Sequence, residues 1–240
     1  SWAVANGLIQ GNPDGTVNPR GNATRAQAAA ILQRFAPMTG DREPTQTGLQ
    51  RSAERAIAKQ QYQTAADCFR KMEEAGFIGG SELGQRLFDT AYAASQTEAY
   101  TVCVELLEEA ADLENAAAVN ELGGCYLTGR GVKKDEEKAL ELYKKAAEME
   151  SPSALYNVGV CYAYGHGVEA DEAAAFQWFQ KAAEAGSPSG MFAAGAWYAE
   201  GKGVKADEEQ ARAWLEKYAA SGNSIWSEQA QAILEELEAA

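Results

Sequence analysis

LGGCYLTGRGVKKDEEKALELYKKAAEMESPSA, residues 122–154, decides the fold, because the chain contains it three times. VGVCYAYGHGVEADEAAAFQWFQKAAEAGSPSG at 158–190 and AGAWYAEGKGVKADEEQARAWLEKYAASGNS at 194–224 follow it at a period of 36 residues. The copies agree at Gly123/Gly159/Gly195, Tyr126/Tyr162/Tyr198, Gly129/Gly165/Gly201, Gly131/Gly167/Gly203, Asp135/Asp171/Asp207 and Ala139/Ala175/Ala211. A fixed period of this length marks a chain built by stacking one small unit.

Each unit reads as two antiparallel helices. The first is expected over about 116–128 in copy one, with Leu122 and Tyr126 four apart on one apolar face. Gly123, beside that stripe, lets the second helix approach closely. The Gly-x-Gly-Val segment ends the first helix, since glycine takes positive φ without steric cost. Asp135, Asp171 and Asp207 are natural N-caps of the second helix, and the acids after them suit its positive end. Ser151-Pro152 and Ser187-Pro188 restart the next unit, Ser as N-cap and Pro at the first helical position.

These residues resemble Sel1-like repeats, a tetratricopeptide variant with a longer inter-helix loop. The shared pattern is Ala-x3-Leu-Gly-x2-Tyr-x2-Gly-x-Gly-Val-x2-Asp-x2-Lys-Ala-x2-aromatic-x2-Lys-Ala-Ala-x2-Gly. Copy one follows it from Ala118 through Ala147; copy two has Ala174 for the Lys, and copy three has Tyr218 where Ala is usual. The repeats are placed at 116–150, 151–186 and 187–222. Upstream, 49–80 resembles a tetratricopeptide hairpin through Tyr62, Ala65, Ala66 and Phe69, and 81–115 reads as a degenerate hairpin. Residues 223–240 read as a capping helix with Ile225, Ala230, Ile233 and Leu234 as apolar contacts. The expected fold is an all-α superhelix (a solenoid) of five hairpins and a cap.

The first residues differ in charge. Residues 1–40 hold three Arg and one acid, whereas the whole 240-residue chain carries −14 with a pI near 4.6. Residues 37–48, rich in Pro, Gly and Thr, read as a linker. WAVANGLIQGNPDGTVNPRGNATRAQAAAILQRF, from Trp2, resembles the C-terminal two-thirds of an S-layer homology motif, expected as a small partial helical segment at 1–36. It shares the Trp-Ala-x4-Gly-Leu-Ile-x-Gly start, the Asp-Gly-Thr turn, the Asn-Pro loop and the Thr-Arg-Ala-Gln helix entry. The resemblance implies binding to secondary cell-wall polymers at a bacterial surface, with Trp2, Gly11 and Arg25 as contacts. The chain opens at Ser1 rather than Met, so a fragment of a longer protein is expected.

The acidic field disfavours nucleic acid and anionic lipid as partners. No apolar run approaches the ~20 residues of a membrane span. Cys125 and Cys161 share one repeat position, taken by Trp197 in copy three, and read as core; disulfides are not indicated. Cys68 and Cys103 fall on second helices of different hairpins. His166 stands where the other copies have Arg130 and Lys202 and reads as a solvated loop residue without a catalytic partner. The acids 135–137 and 207–209 read as helix N-terminal charges rather than metal ligands. Trp178, Phe179 and Trp214 read as inter-repeat packing. No metal or cofactor is expected.

What remains is a stripe on each first helix, at the positions two before the Leu and two and six after it. In tetratricopeptide-type hairpins these face the concave surface. They give Asn120, Gly124 and Thr128; Tyr156, Val160 and Tyr164; Phe192, Ala196 and Glu200. Asn120, Thr128, Tyr156, Tyr164, Phe192 and Glu200 are therefore the candidate groove. Its aromatics and acid suit a protein or peptide with apolar and neutral or basic side chains. The expected function is a non-catalytic binding scaffold on a bacterial surface. The alternatives are a cell-wall polysaccharide anchor with the solenoid as spacer, or a cell-wall or β-lactam-active hydrolase. Some Sel1-like relatives are linked to that chemistry, but no Ser-x-x-Lys motif supports it here.

Overall fold

The computed structural model describes residues 9–11, 17–19 and 45–239. Two compact units divide the chain, Ser1–Glu43 and Pro44–Ala240. In the first, β1 (Ile9–Gly11) pairs antiparallel with β2 (Val17–Pro19), in the register Ile9↔Pro19, Gln10↔Asn18, Gly11↔Val17. The segment is expected to be helical; its described residues are instead a strand pair, for which Asp14-Gly15 between two β-prone runs is the sequence signal. The helix entry expected at Thr24, and Trp2 and Arg25, lie outside the described residues.

The second unit is all-α. Its helices are α1 (Gln46–Ala58), α2 (Tyr62–Glu74), α3 (Gly80–Gln96), α4 (Tyr100–Asp112), α5 (Ala116–Thr128), α6 (Glu136–Glu148), α7 (Pro152–Tyr164), α8 (Glu172–Glu184), α9 (Pro188–Glu200), α10 (Glu208–Ala220) and α11 (Ser227–Ala239). Successive helices pair as five hairpins, each second helix packs on the next first helix, and α11 closes the stack against α10 and α9. First helices touch across hairpins (α7 with α9), as do second helices (α2 with α4), so the solenoid has two layers. α1 begins at Gln46, capped by Thr45, so helix starts inside the 37–48 stretch read as linker.

The repeated sequence signals have repeated physical causes. Asp135, Asp171 and Asp207 each accept a hydrogen bond of 3.0 Å from the backbone N–H three residues on, which satisfies an orphan donor at the helix start. Ser151 and Ser187 do the same for α7 and α9, with Pro at the first helical position. By contrast α2, α3 and α4 start without a side-chain cap, which is why the pattern fades upstream while the helices persist. A side chain at Gly123 would meet the Tyr143 ring at 2.8 Å, so only glycine admits α6 at this distance.

The end of the solenoid departs from expectation. Ile225 is 68% exposed; Trp226, the next residue, turns inward, while Ala230, Ile233 and Leu234 pack as expected. Tyr218 explains this. Standing where earlier copies have Ala146 and Ala182, it is fully buried, and its hydroxyl accepts the Trp226 N–H at 2.7 Å and donates to Asn223 Oδ1 at 3.3 Å. The departure from the family pattern is the anchor of the cap.

Candidate functional site

Inter-helix loops hold the hairpins in register. Gly129, Gly165 and Gly201 close their helices in the left-handed conformation, and the second glycine of each Gly-x-Gly follows in the same region. A Cβ on Gly167 would lie 2.3 Å from the Glu136 carbonyl oxygen, the first residue of the preceding hairpin's second helix. The residue between the glycines reaches the same place. Arg130 lies over the Tyr100 ring at 5.8 Å, His166 Nδ1 is 3.5 Å from Glu136, and Lys202 Nζ is 3.8 Å from Glu172. His166 is thus half-buried against an acid rather than a free loop residue. Lys134, at 2.7 Å, and then His166 hold the Glu136 carboxyl below the usual range.

That register aligns the first helices, and the expected groove residues separate into two levels. In the inner level Asn120 is buried; its Oδ1 accepts from Asn157 Nδ2 on α7 at 2.8 Å and its amide donates to Glu121. Tyr156 is half-buried, 5.4 Å from Phe179 and 6.4 Å from Trp226, and burial raises its hydroxyl pKa. Phe192 lies under Trp226 and against Tyr218. These three side chains are engaged within the protein. In the outer level Thr128 and Glu200 are exposed, Thr128 Oγ1 donating to the Gly124 carbonyl at 2.8 Å, and Tyr164 is 72% exposed.

The outer level has a fourth member that sequence reasoning missed. Tyr92, on α3, stands one repeat before Thr128 and is 60% exposed. The 36-residue offset, carried back one copy from Thr128, would have found it; the degenerate hairpin around it hid the position. Tyr92 and Thr128 together line a cavity of about 190 Å³ with Phe88, Tyr100, Leu107 and Gly124. Phe88 is likewise one repeat before Gly124. The row Tyr92, Thr128, Tyr164, Glu200 therefore runs along four consecutive first helices, with aromatic rings at every second step.

Phe179 and Trp178 pack into the clusters between hairpins, whereas Trp214 meets Lys217 of its own helix. Phe179 is buried and meets Trp197 edge-on at 5.0 Å, while Trp178 and Trp214 carry Lys181 and Lys217 over their rings. The acids Asp135 and Asp207 serve as caps, as above. Among the described residues no cluster of three or more His, Cys, Asp or Glu side chains could hold a metal ion. Gly11 sits at the end of β1 opposite Val17.

Comparison with known proteins agrees with the repeat fold. The Sel1 repeat matches residues 116–151, 152–187 and 188–223, and the S-layer homology domain matches residues 1–29. The chain therefore carries a Sel1-repeat region and an N-terminal S-layer homology segment. A solved structure of a protective antigen present in uropathogenic Escherichia coli strains, displaying an SLR fold, is 34% identical with a TM-score of 0.58. The match covers 68% of this chain and 34% of the antigen, so this chain spans about a third of that protein. A Sel1 repeat protein from Oxalobacter formigenes is 24% identical with a TM-score of 0.60, over 82% of this chain and 79% of the other. No curated protein matches the chain. The Sel1-repeat fold is known as a scaffold for protein–protein interaction. The S-layer homology segment indicates attachment to the cell wall, and among the described residues no helix is long and apolar enough to cross a membrane.

Proposed function

We propose that the solenoid captures a protein or peptide along the face of its first helices while the N-terminal segment holds it at a bacterial cell surface. The observation that carries this reading is the row of Tyr92, Thr128, Tyr164 and Glu200. Two of the four exposed large hydrophobic side chains among the described residues, Tyr92 and Tyr164, occupy one repeat position. Exposed tyrosines offer large, stiff contact area at small entropic cost. Glu200 and the net negative charge favour a partner with Lys or Arg between apolar side chains. Asn120, Tyr156 and Phe192 form the floor beneath the contact row. Panning short random peptides on phage against the immobilised full chain tests this. Enrichment of sequences combining aromatic and basic residues supports it, and no enrichment overturns it.

A second reading follows from the S-layer homology match: the chain is chiefly an anchor to secondary cell-wall polymer, with the solenoid as spacer. Trp2, Gly11 and Arg25 would be its contacts, Arg25 through bidentate hydrogen bonds to an acidic group. Retention of the wild-type chain on purified wall polymer supports this reading and no retention removes it; loss in Arg25→Ala assigns the contact to Arg25, and equal retention of that variant takes Arg25 out of the contacts.

A further inference from the structure

Cys103 on α4 and Cys125 on α5 belong to neighbouring hairpins, and the stacking that sets hairpin on hairpin brings them to one place. Both line the 190 Å³ cavity beside Tyr92, and both belong to the same packed core, Cys103 buried and Cys125 half-buried against it. The repeat supplies independent evidence of the contact. One repeat on, the same two positions hold Ala139 and Cys161, packed in one cluster; two repeats on they hold Ala175 and Trp197, again in one cluster. Only at the junction of α4 and α5 does this recurring contact carry sulfur on both sides.

We propose that Cys103 and Cys125 form an oxidisable pair, closed to a disulfide by exchange with a low-molecular-weight disulfide that reaches them through the cavity. The Cys125 thiolate attacks one sulfur of RS–SR, giving a Cys125–SR mixed disulfide and releasing RS⁻. Cys103 then attacks the Cys125 sulfur, giving the Cys103–Cys125 bond and releasing the second RS⁻. The two protons lost by the protein thiols end on the two released thiols, and the low-molecular-weight disulfide is the oxidant. The order of attack follows from the surroundings. The hydrogen bond with Cys103 and the nearby Arg130 charge lower the Cys125 pKa, whereas that hydrogen bond and burial raise that of Cys103. The bond would tie two hairpins together at the floor of the cavity, and a cell-wall location is one where disulfides persist. None of this depends on what the outer row binds.

The test treats the folded chain with oxidised glutathione, then denatures it and alkylates the remaining thiols with N-ethylmaleimide. No Lys or Arg lies between Arg86 and Arg130, so trypsin releases both cysteines on one peptide, 87–130. After oxidation that peptide is expected to be about 2 Da lighter and unlabelled, while Cys68 and Cys161 remain alkylatable. Cys103→Ala, which installs the residue that the next two hairpins carry, should stop at a glutathione adduct on Cys125. Full alkylation of all four cysteines after exposure to oxidised glutathione would overturn the proposal, as would oxidation confined to dimers linked through Cys68. The wild-type peptide map decides the matter by itself should the variant fail to fold.

Discussion

The rings of Trp226 and Phe192 lie 12° from parallel with centroids 5.1 Å apart, so the segment after the last repeat is stacked onto the first helix of that repeat. The backbone N–H of Trp226 is held at the same time by the buried Tyr218 hydroxyl. A solenoid gains stability only from neighbour contacts, and its last unit needs a lid. Here the indole of Trp226 is a main contact of that lid, beside Ala230, Ile233 and Leu234. Trp226→Ala is expected to cost about 3 kcal/mol in urea denaturation, while Ile225→Ser, one residue away and exposed, should change stability by less than about 0.5 kcal/mol. Equal effects of the two would show that the segment is held some other way.

The loop glycines separate two physical costs. Gly167 has φ +68° and a would-be Cβ 2.3 Å from a carbonyl oxygen of the preceding hairpin, whereas Gly186 has φ +88° with nothing within 4 Å. Gly186→Ala should therefore cost only the left-handed conformation, about 1 kcal/mol. Gly167→Ala adds a clash with backbone that must move, for a total of about 3 kcal/mol or more. Thermal unfolding of the two variants gives the comparison directly. Similar melting temperatures would mean that the loop gives way without disturbing the stack.

Glu150 occupies the left-handed position after α6, with φ +61°, where the next two repeats place Gly186 and Gly222. The conformation penalises a side chain by about 1–2 kcal/mol, and glycine's extra unfolded-state entropy returns about half of that. Glu150→Gly should stabilise the protein by about 0.5–1 kcal/mol, read as a rise in the urea midpoint. A fall would indicate that the Glu150 side chain contributes an unrecognised contact.

The repeated part of the fold was legible because its determinants are local: a capping Asp, a Ser-Pro start and a Gly-x-Gly stop act within a few residues of their own positions. The terminal cap was less so. Ile225 and Trp226 are both apolar neighbours, and which one turns inward depends on a hydroxyl on the preceding helix, at Tyr218. The candidate site was read in part for a related reason. Periodicity shows which positions share a face, but not which of them a neighbouring segment has already covered. Thus Tyr156 and Tyr164, two turns apart on α7, look equivalent in sequence, yet one packs against Phe179 and the other projects into solvent. Tyr92 escaped notice because its hairpin lacks the flanking signals by which the repeats align.

On the proposed function, the outer row of first-helix residues binds the partner. The direct test is to titrate an aromatic and basic peptide, selected on the wild-type chain, against the wild type and against a Tyr92→Ala/Tyr164→Ala variant. Both tyrosines are exposed, so the variant should keep its helical content and melting temperature. The variant is expected to lose at least about tenfold in affinity, the scale of a contact hot spot. Undiminished binding by a folded variant would contradict it.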